Sequence, residues 1–245
     1  MPTHKLLLTG GSGRLGTELQ QELQGAFEIL ALSSKDLDIT SLTSIEETLA
    51  KHKPDLIVHT AAYTNVSGAE KEKARCWLVN VTGTRNIVKA ALNYQLKLIH
   101  ISTDYVFSGQ EGNYQETDPI GPVSNYYSLS KLAAEELVHL LDDYLIIRTS
   151  FRPRAWPYPV AFDDVYTSQD YVDIIAPEIA LAIKHHQDIP DKLLHIATER
   201  KSVYELAKRR APEVKRSSKR EANVNLPNDI SLDIERWQAL KQHFR

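Results

Sequence analysis

One cysteine in 245 residues, Cys76, leaves no partner for a disulfide within the chain and no basis for a cysteine-rich metal site. It falls in a segment of helical pattern, so a buried, inert thiol is expected. Long apolar runs are also lacking. The opening "MPTHKLLLTGG" is too short for a signal peptide or a membrane span, and no other stretch approaches spanning length. A cytoplasmic protein without membrane contact is therefore expected. An excess of one charge is missing as well: 29 Lys and Arg stand against 32 Asp and Glu, a formal net charge of −3. Such a balance supplies no global field for nucleic acid or an anionic surface. The local cluster Lys208, Arg209, Arg210, Lys215, Arg216, Lys219 and Arg220 reads as a solvated face. None of the histidines has two partners at metal-ligand spacing, so no metal site is expected.

What is present is alternation. Short apolar runs at "KLLLT", "FEILAL", "DLIVHTAA", "KLIHIST" and "YLIIRTS" are separated by segments of helical period: "RLGTELQQELQ", "SLTSIEETLAKH", a long stretch from Val66 to Tyr94, and "SNYYSLSKLAAEELVHLL". Five strand–helix pairs predict an α/β chain with a doubly wound, Rossmann-like parallel sheet covered on both faces. Residues 1–150 carry that pattern. After Ser150 it changes: "FRPRAWPYPVAFD" reads as irregular, "SQDYVDIIAPEIALAIKHH" as a helix interrupted near Pro177, "LLHIAT" as a strand and "SVYELAKRRA" as a helix. Residues 151–245 thus form a smaller region interleaved with the last strands.

Gly10, Gly13 and Gly16 lie between the first strand and the first helix. Glycines there let the backbone turn tightly and approach phosphate, and the helix start offers free N–H groups and the positive end of the dipole. With Arg14 and Leu15 they form a dinucleotide cradle in the expected topological place. An acidic residue directly after the second strand would favour NAD; here Ser33, Ser34 and Lys35 come first, and with Arg14 they suit a 2′-phosphate. NADP is expected, with NAD open and with Lys35 as an ordinary surface lysine the competing reading. Asp38 and Ile39 are placed beside the adenine. Thr103 closes the fourth strand, at the sheet edge where ligands bind. Tyr127 and Lys131 lie four apart, on one face of a helix. An ammonium near a phenol stabilises the phenolate and brings its pKa towards working pH.

The stretches "GGSGRLGTEL", "LDIT", "HTAAYTNVSGAE", "VNVTGTRNI", "STDYVFSG", "YQETD", "YYSLSKLAAEE" and "IIRTS" resemble the extended short-chain dehydrogenases/reductases, in particular the dTDP-4-dehydrorhamnose reductase family. The resemblance covers most of residues 5–150. It implies a catalytic set of Thr103, Tyr127 and Lys131, with Asp104 touching substrate. It implies that Ala61, Ala62 and Tyr63, and less firmly Asn80 or its neighbours, line the cofactor. The implied reaction is NADPH-dependent reduction of a 4-keto nucleotide sugar, Tyr127 acting as the acid. Related dehydratases carry Asp-Glu after this Thr; here Asp104-Tyr105 follows, which points to simple reduction.

The chain departs from the pattern after Ser150. The segment before "YTSQDYVDIIA" is short, and Phe151 stands where the family has a substrate-contacting Trp. The region after residue 150 would be a small substrate-binding region with a rebuilt pocket. Arg148, Arg152, Arg154 and Trp156 either grip a diphosphate and stack a base or sugar, or form a packed connector. Two alternatives stay open: a dinucleotide-binding regulatory protein without turnover, as in the methionine adenosyltransferase beta subunit that resembles this family, and a nucleotide-sugar epimerase or dehydrogenase. The helices around Val66–Tyr94 and Ser124–Asp142 suggest a homodimer face.

Overall fold

The computed structural model describes residues 4–221 and 226–244. In chain order the first half runs β1 (Lys5–Thr9), α1 (Arg14–Glu22), β2 (Glu28–Leu32), α2 (Leu42–His52), β3 (Leu56–His59), α3 (Val66–Ala69), α4 (Lys73–Trp77), a π-helical turn (Leu78–Gly83), α5 (Thr84–Tyr94), β4 (Lys97–Thr103), α6 (Tyr126–Val138) and β5 (Tyr144–Thr149). The second half runs β6 (Phe151–Arg152), β7 (Val160–Phe162), β8 (Tyr166–Thr167), β9 (Asp170–Tyr171), α7 (Val172–Lys184), β10 (Leu193–His195), β11 (Lys201–Ser202), α8 (Val203–Lys208), β12 (Lys215–Ser217) and α9 (Glu235–Lys241).

Six strands form one parallel sheet in the order β10-β5-β4-β3-β1-β2. Side chains alternate across it, and the two faces bury different cores. Leu6, Leu8, Val58, Ile99 and Ile147 pack under α1, α7 and Trp237 of α9. Leu7, Ile57, Leu98 and Ile146 pack under α2, α5 and α6. This is the expected doubly wound α/β architecture. Because β2 and β3 flank β1 on opposite sides, the winding reverses at β1 and β3, and a crevice opens at their C-terminal ends.

Two segments differ from expectation. The stretch from Val66 to Tyr94 is not one helix but three, with the π-helical turn between α4 and α5. In that turn Asn80 faces inward: its Oδ1 accepts from Tyr63 N at 2.7 Å, and its Nδ2 donates to Ser130 Oγ at 2.9 Å. A widened turn re-aims one side chain, and here it ties the segment after β3 to α6. Pro177, in contrast, does not interrupt α7, which is continuous over Val172–Lys184. The lost hydrogen bond is outweighed by burial of Ile175, Ala176, Ile179, Ala180 and Ile183 around it. Cys76 is buried, as expected. Among the described residues no helix is long and apolar enough to cross a membrane.

Candidate active site

One cleft of about 730 Å³ follows the C-terminal edge of the sheet. At its first end the chain leaves β1 through Gly10, whose φ of +71° suits glycine; a Cβ there would sit 2.8 Å from Ala61 N. A Cβ on Gly16 would come within 2.3 Å of the Gly10 carbonyl oxygen, a backbone atom that cannot step aside. The turn is therefore specified by packing, and it delivers the start of α1 to the cleft through Ser12, Gly13, Arg14 and Leu15. Free N–H groups, a glycine-walled approach and Arg14 fit a dinucleotide pyrophosphate.

Around this end Ser34, Asp38, Ile39 and Thr40 line one wall, and Thr60, Ala61 and Ala62 another. Three expected cofactor residues lie elsewhere. Ser33 turns its hydroxyl to Asp36, 2.5 Å away, and Lys35 is exposed away from the cleft. Ser34, named with them for the 2′-phosphate, does line the cleft. Tyr63 is held off the cleft: its phenol donates to Glu72 at 2.8 Å and its N–H is taken by Asn80. Of Asn80 and its neighbours, Val79 lines the cleft, with Thr64 and Val66.

Further along, the β4–β5 register pairs Thr103 with Thr149, which sets Asp104 beside Ser150. Thr103 caps the turn after β4, accepting from Tyr105 N at 3.2 Å and donating to Asp104 Oδ1 at 3.0 Å. Asn125 caps α6 by accepting from Ser128 N at 2.8 Å, so the helix begins where Tyr127 and Lys131 both reach the cleft. Thr103, Asp104, Tyr127 and Lys131 are all buried and all line the same stretch of the cleft.

The electrostatics correct one expectation. Burial, reinforced by Asp104, pushes the Tyr127 phenol up from its ordinary value, and Lys131 does not pull it down. The Lys131 ammonium is instead directed at the sheet, donating to Ile101 O at 2.7 Å with His100 Nε2 at 3.4 Å. Burial lowers the lysine to about 8. It also raises Asp104 to about 6, against hydrogen bonds from Thr103, Ser150 and the Tyr105 amide. The site thus presents a protonated phenol, a weakly held ammonium and a carboxyl poised near neutrality.

The far end is built from Ser150, Phe151 and Arg152 after β5, with Gln169 and Ile230 from the second half. Of the arginines considered for a diphosphate, Arg148 is buried in a bidentate pair with Glu135, and Arg154 is paired with Glu18 at 2.7 and 2.8 Å. In the basic cluster Arg209 pairs with Asp170 and Glu199, Arg210 with Asp173, and Arg216 with Asp163. Gln169 and Ile230 gave no advance signal, because loops bring them in from distant sequence. Among the described residues no three His, Cys, Asp or Glu side chains are grouped to hold a metal.

A family model described as the RmlD substrate-binding domain matches residues 4–152. The chain belongs to that family. The dTDP-4-dehydrorhamnose reductase of Aggregatibacter actinomycetemcomitans is 40% identical over 151 residues, which are 60% of this chain and 51% of that protein. The Mycobacterium tuberculosis protein of the same name is 35% identical over 190 residues, 75% of this chain and 57% of that one. This RmlD-family chain therefore spans about half the length of the curated relatives it matches. Solved structures match over nearly all of it. A Bacillus anthracis dTDP-4-dehydrorhamnose reductase in complex with NADP superposes with a TM-score of 0.84 at 28% identity, covering 98% of this chain and 92% of that one. A hypothetical dTDP-4-dehydrorhamnose reductase from Sulfolobus tokodaii gives 0.82 at 34% identity, with coverages of 96% and 94%.

Proposed function

We propose that the protein is an oxidoreductase that reduces a 4-keto nucleotide sugar with NADPH. The observation carrying this reading is the convergence of Thr103, Tyr127 and Lys131 in the same cleft as the glycine turn. The NADP complex of the similar Bacillus anthracis enzyme supports the choice of cofactor. In this chain Arg14 and Ser34 are the residues offered to a 2′-phosphate, rather than Lys35.

When bound, the dinucleotide supplies the hydride. The chain's own residues do the rest. Tyr127, holding its proton because it is buried, donates it to the oxygen that becomes an alkoxide. Thr103, fixed by its hydrogen bond to Asp104 and lining the cleft with Tyr127, positions that oxygen. Lys131, held to the sheet through Ile101, brings a positive charge to the same cleft. With Tyr105 in place of a glutamate, no carboxylate follows Asp104 to remove a carbon-bound proton, which favours reduction over dehydration. Retention of all three groups in one cleft also favours turnover over a purely regulatory role.

The site would serve a cytoplasmic biosynthetic enzyme. The half-exposed Trp77 and Leu78, with Leu129 of α6, are the face on which a second copy would dock; light scattering that reports a monomer at working concentration removes that reading. The function itself is tested by NADPH absorbance loss across a panel of 4-keto-6-deoxy nucleotide sugars. Consumption with at least one member is expected. Binding of NADPH without consumption across the panel would turn the assignment towards regulation.

A further inference from the structure

Three cations line the cleft: Arg14 at the glycine turn, Lys131 at the centre and Arg152 at the far end. The sheet order β1-β3-β4-β5 puts the chain ends carrying Arg14 and Arg152 three strand spacings apart, roughly 14 Å. The groups that carry chemistry follow β4, between them. Arg14 thus belongs to the dinucleotide half and Arg152 to the half that receives substrate.

Arg152 differs from every other arginine near it. Arg148, Arg154, Arg209 and Arg210 each pair with a carboxylate; Arg152 has no carboxylate partner among the described residues. Its Nε is buried and makes no hydrogen bond there. Its place is nevertheless fixed. β6 pairs with β9, setting Arg152 opposite Tyr171, and the guanidinium stacks 5.4 Å from the Trp156 ring and 5.9 Å from that of Tyr158. The Trp156 indole N–H is likewise buried without a partner. Aromatic faces hold a guanidinium without neutralising it, leaving its planar fork free for an oxyanion. Arg152 lines the cleft while Trp156 and Tyr158 do not, so its guanidinium is the group offered to a ligand at this end. A cation without a carboxylate calls for a ligand rich in acceptors.

We propose that Arg152, held by Trp156 and Tyr158, binds the phosphate groups of a nucleoside-diphosphate sugar and is the residue by which this chain selects substrates carrying them. The assignment rests on the reductase reading for the sugar, but its own prediction concerns the diphosphate alone. It explains how a chain with a shortened segment after β5 retains a substrate grip: the anion site is carried on the strand directly following the sheet.

Calorimetric titration of the NADP-loaded protein with dTDP, UDP and thymidine tests it, in the native chain and in Arg152→Gln and Arg152→Lys. Both diphosphates should bind the native protein. Affinity should fall about 10- to 100-fold in Arg152→Gln, the loss expected for a charge-assisted contact. Arg152→Lys should recover part of it, and NADPH affinity should stay unchanged throughout. In turnover, Arg152→Gln should raise KM and leave kcat near native. Equal diphosphate binding by native and Arg152→Gln, or none by the native protein, overturns the assignment. NADPH oxidation by the native protein reports on the reductase reading separately, so the two can fail independently.

Discussion

The Lys131 ammonium lies 2.7 Å from the carbonyl oxygen of Ile101, on the strand that ends in Thr103. A helix-borne cation is thereby pinned to the strand that supplies the hydroxyl next to the acid. The same burial that fixes it lowers its pKa to about 8, so its charge is lost as pH rises through that value. Turnover should therefore decline on the alkaline side with an apparent pKa near 8. Lys131→Met should abolish that limb and cost about 100-fold or more in kcat, measured as NADPH oxidation from pH 6 to 10.

Gly16 touches the Gly10 carbonyl so closely that no side chain fits. Gly16→Ala is expected to deform the turn and weaken NADPH binding by about 10-fold or more, with loss of stability of order 1–3 kcal/mol. Fluorescence titration and urea unfolding read the two effects. A variant with native cofactor affinity would refute the role given to the turn.

Glu135 and Arg148 form a buried pair, Nη2 to Oε2 at 2.9 Å, beneath the site. Removing one partner strands the other charge, and Glu135→Leu should cost about 3–5 kcal/mol. The double variant Glu135→Leu, Arg148→Met should recover most of that, because an apolar pair carries no desolvation penalty. A double variant as unstable as the single would contradict this account.

Four histidines are buried, and three of them, His59, His100 and His195, resist protonation most and govern acid stability. Burial lowers His59 and His195 to about 3, and His100 well below its ordinary value. Unfolded histidines take up protons below about pH 6.5 while the folded ones do not, so stability is full above that pH and falls as pH drops towards 3. At pH 5 each costs about 2 kcal/mol. Asp104 acts in the opposite sense: its folded pKa, raised to about 6, favours the folded state at low pH. That returns only about 1 kcal/mol at pH 5, so the histidines win. Urea midpoints at pH 7.5 and 5 should show the loss, and His195→Leu should reduce it by roughly a third.

Much of the fold was legible because five apolar runs alternate with helical periods, and strands such as β4 are buried on both faces. The glycine turn and the Tyr127–Lys131 spacing were legible because local geometry alone puts them together. What escaped depended on tertiary context. No local pattern separates Ser33, whose hydroxyl bonds Asp36, from Ser34, which lines the cleft. Tyr63 was lost to Glu72 and Asn80, partners 9 and 17 residues away. Pro177 argued for a break that the packing of α7 overrides. The direction of the Tyr127 shift was missed because spacing reports that Lys131 is near, while burial and Asp104 decide the sign.

The central claim is that Tyr127 is the acid of a reductase. NADPH oxidation by Tyr127→Phe, against the native protein with a 4-keto-6-deoxy nucleotide sugar and with NADPH affinity measured alongside, tests it most directly. The account predicts a loss of about 100- to 10,000-fold in kcat with cofactor binding preserved. Native-like turnover by Tyr127→Phe would contradict it.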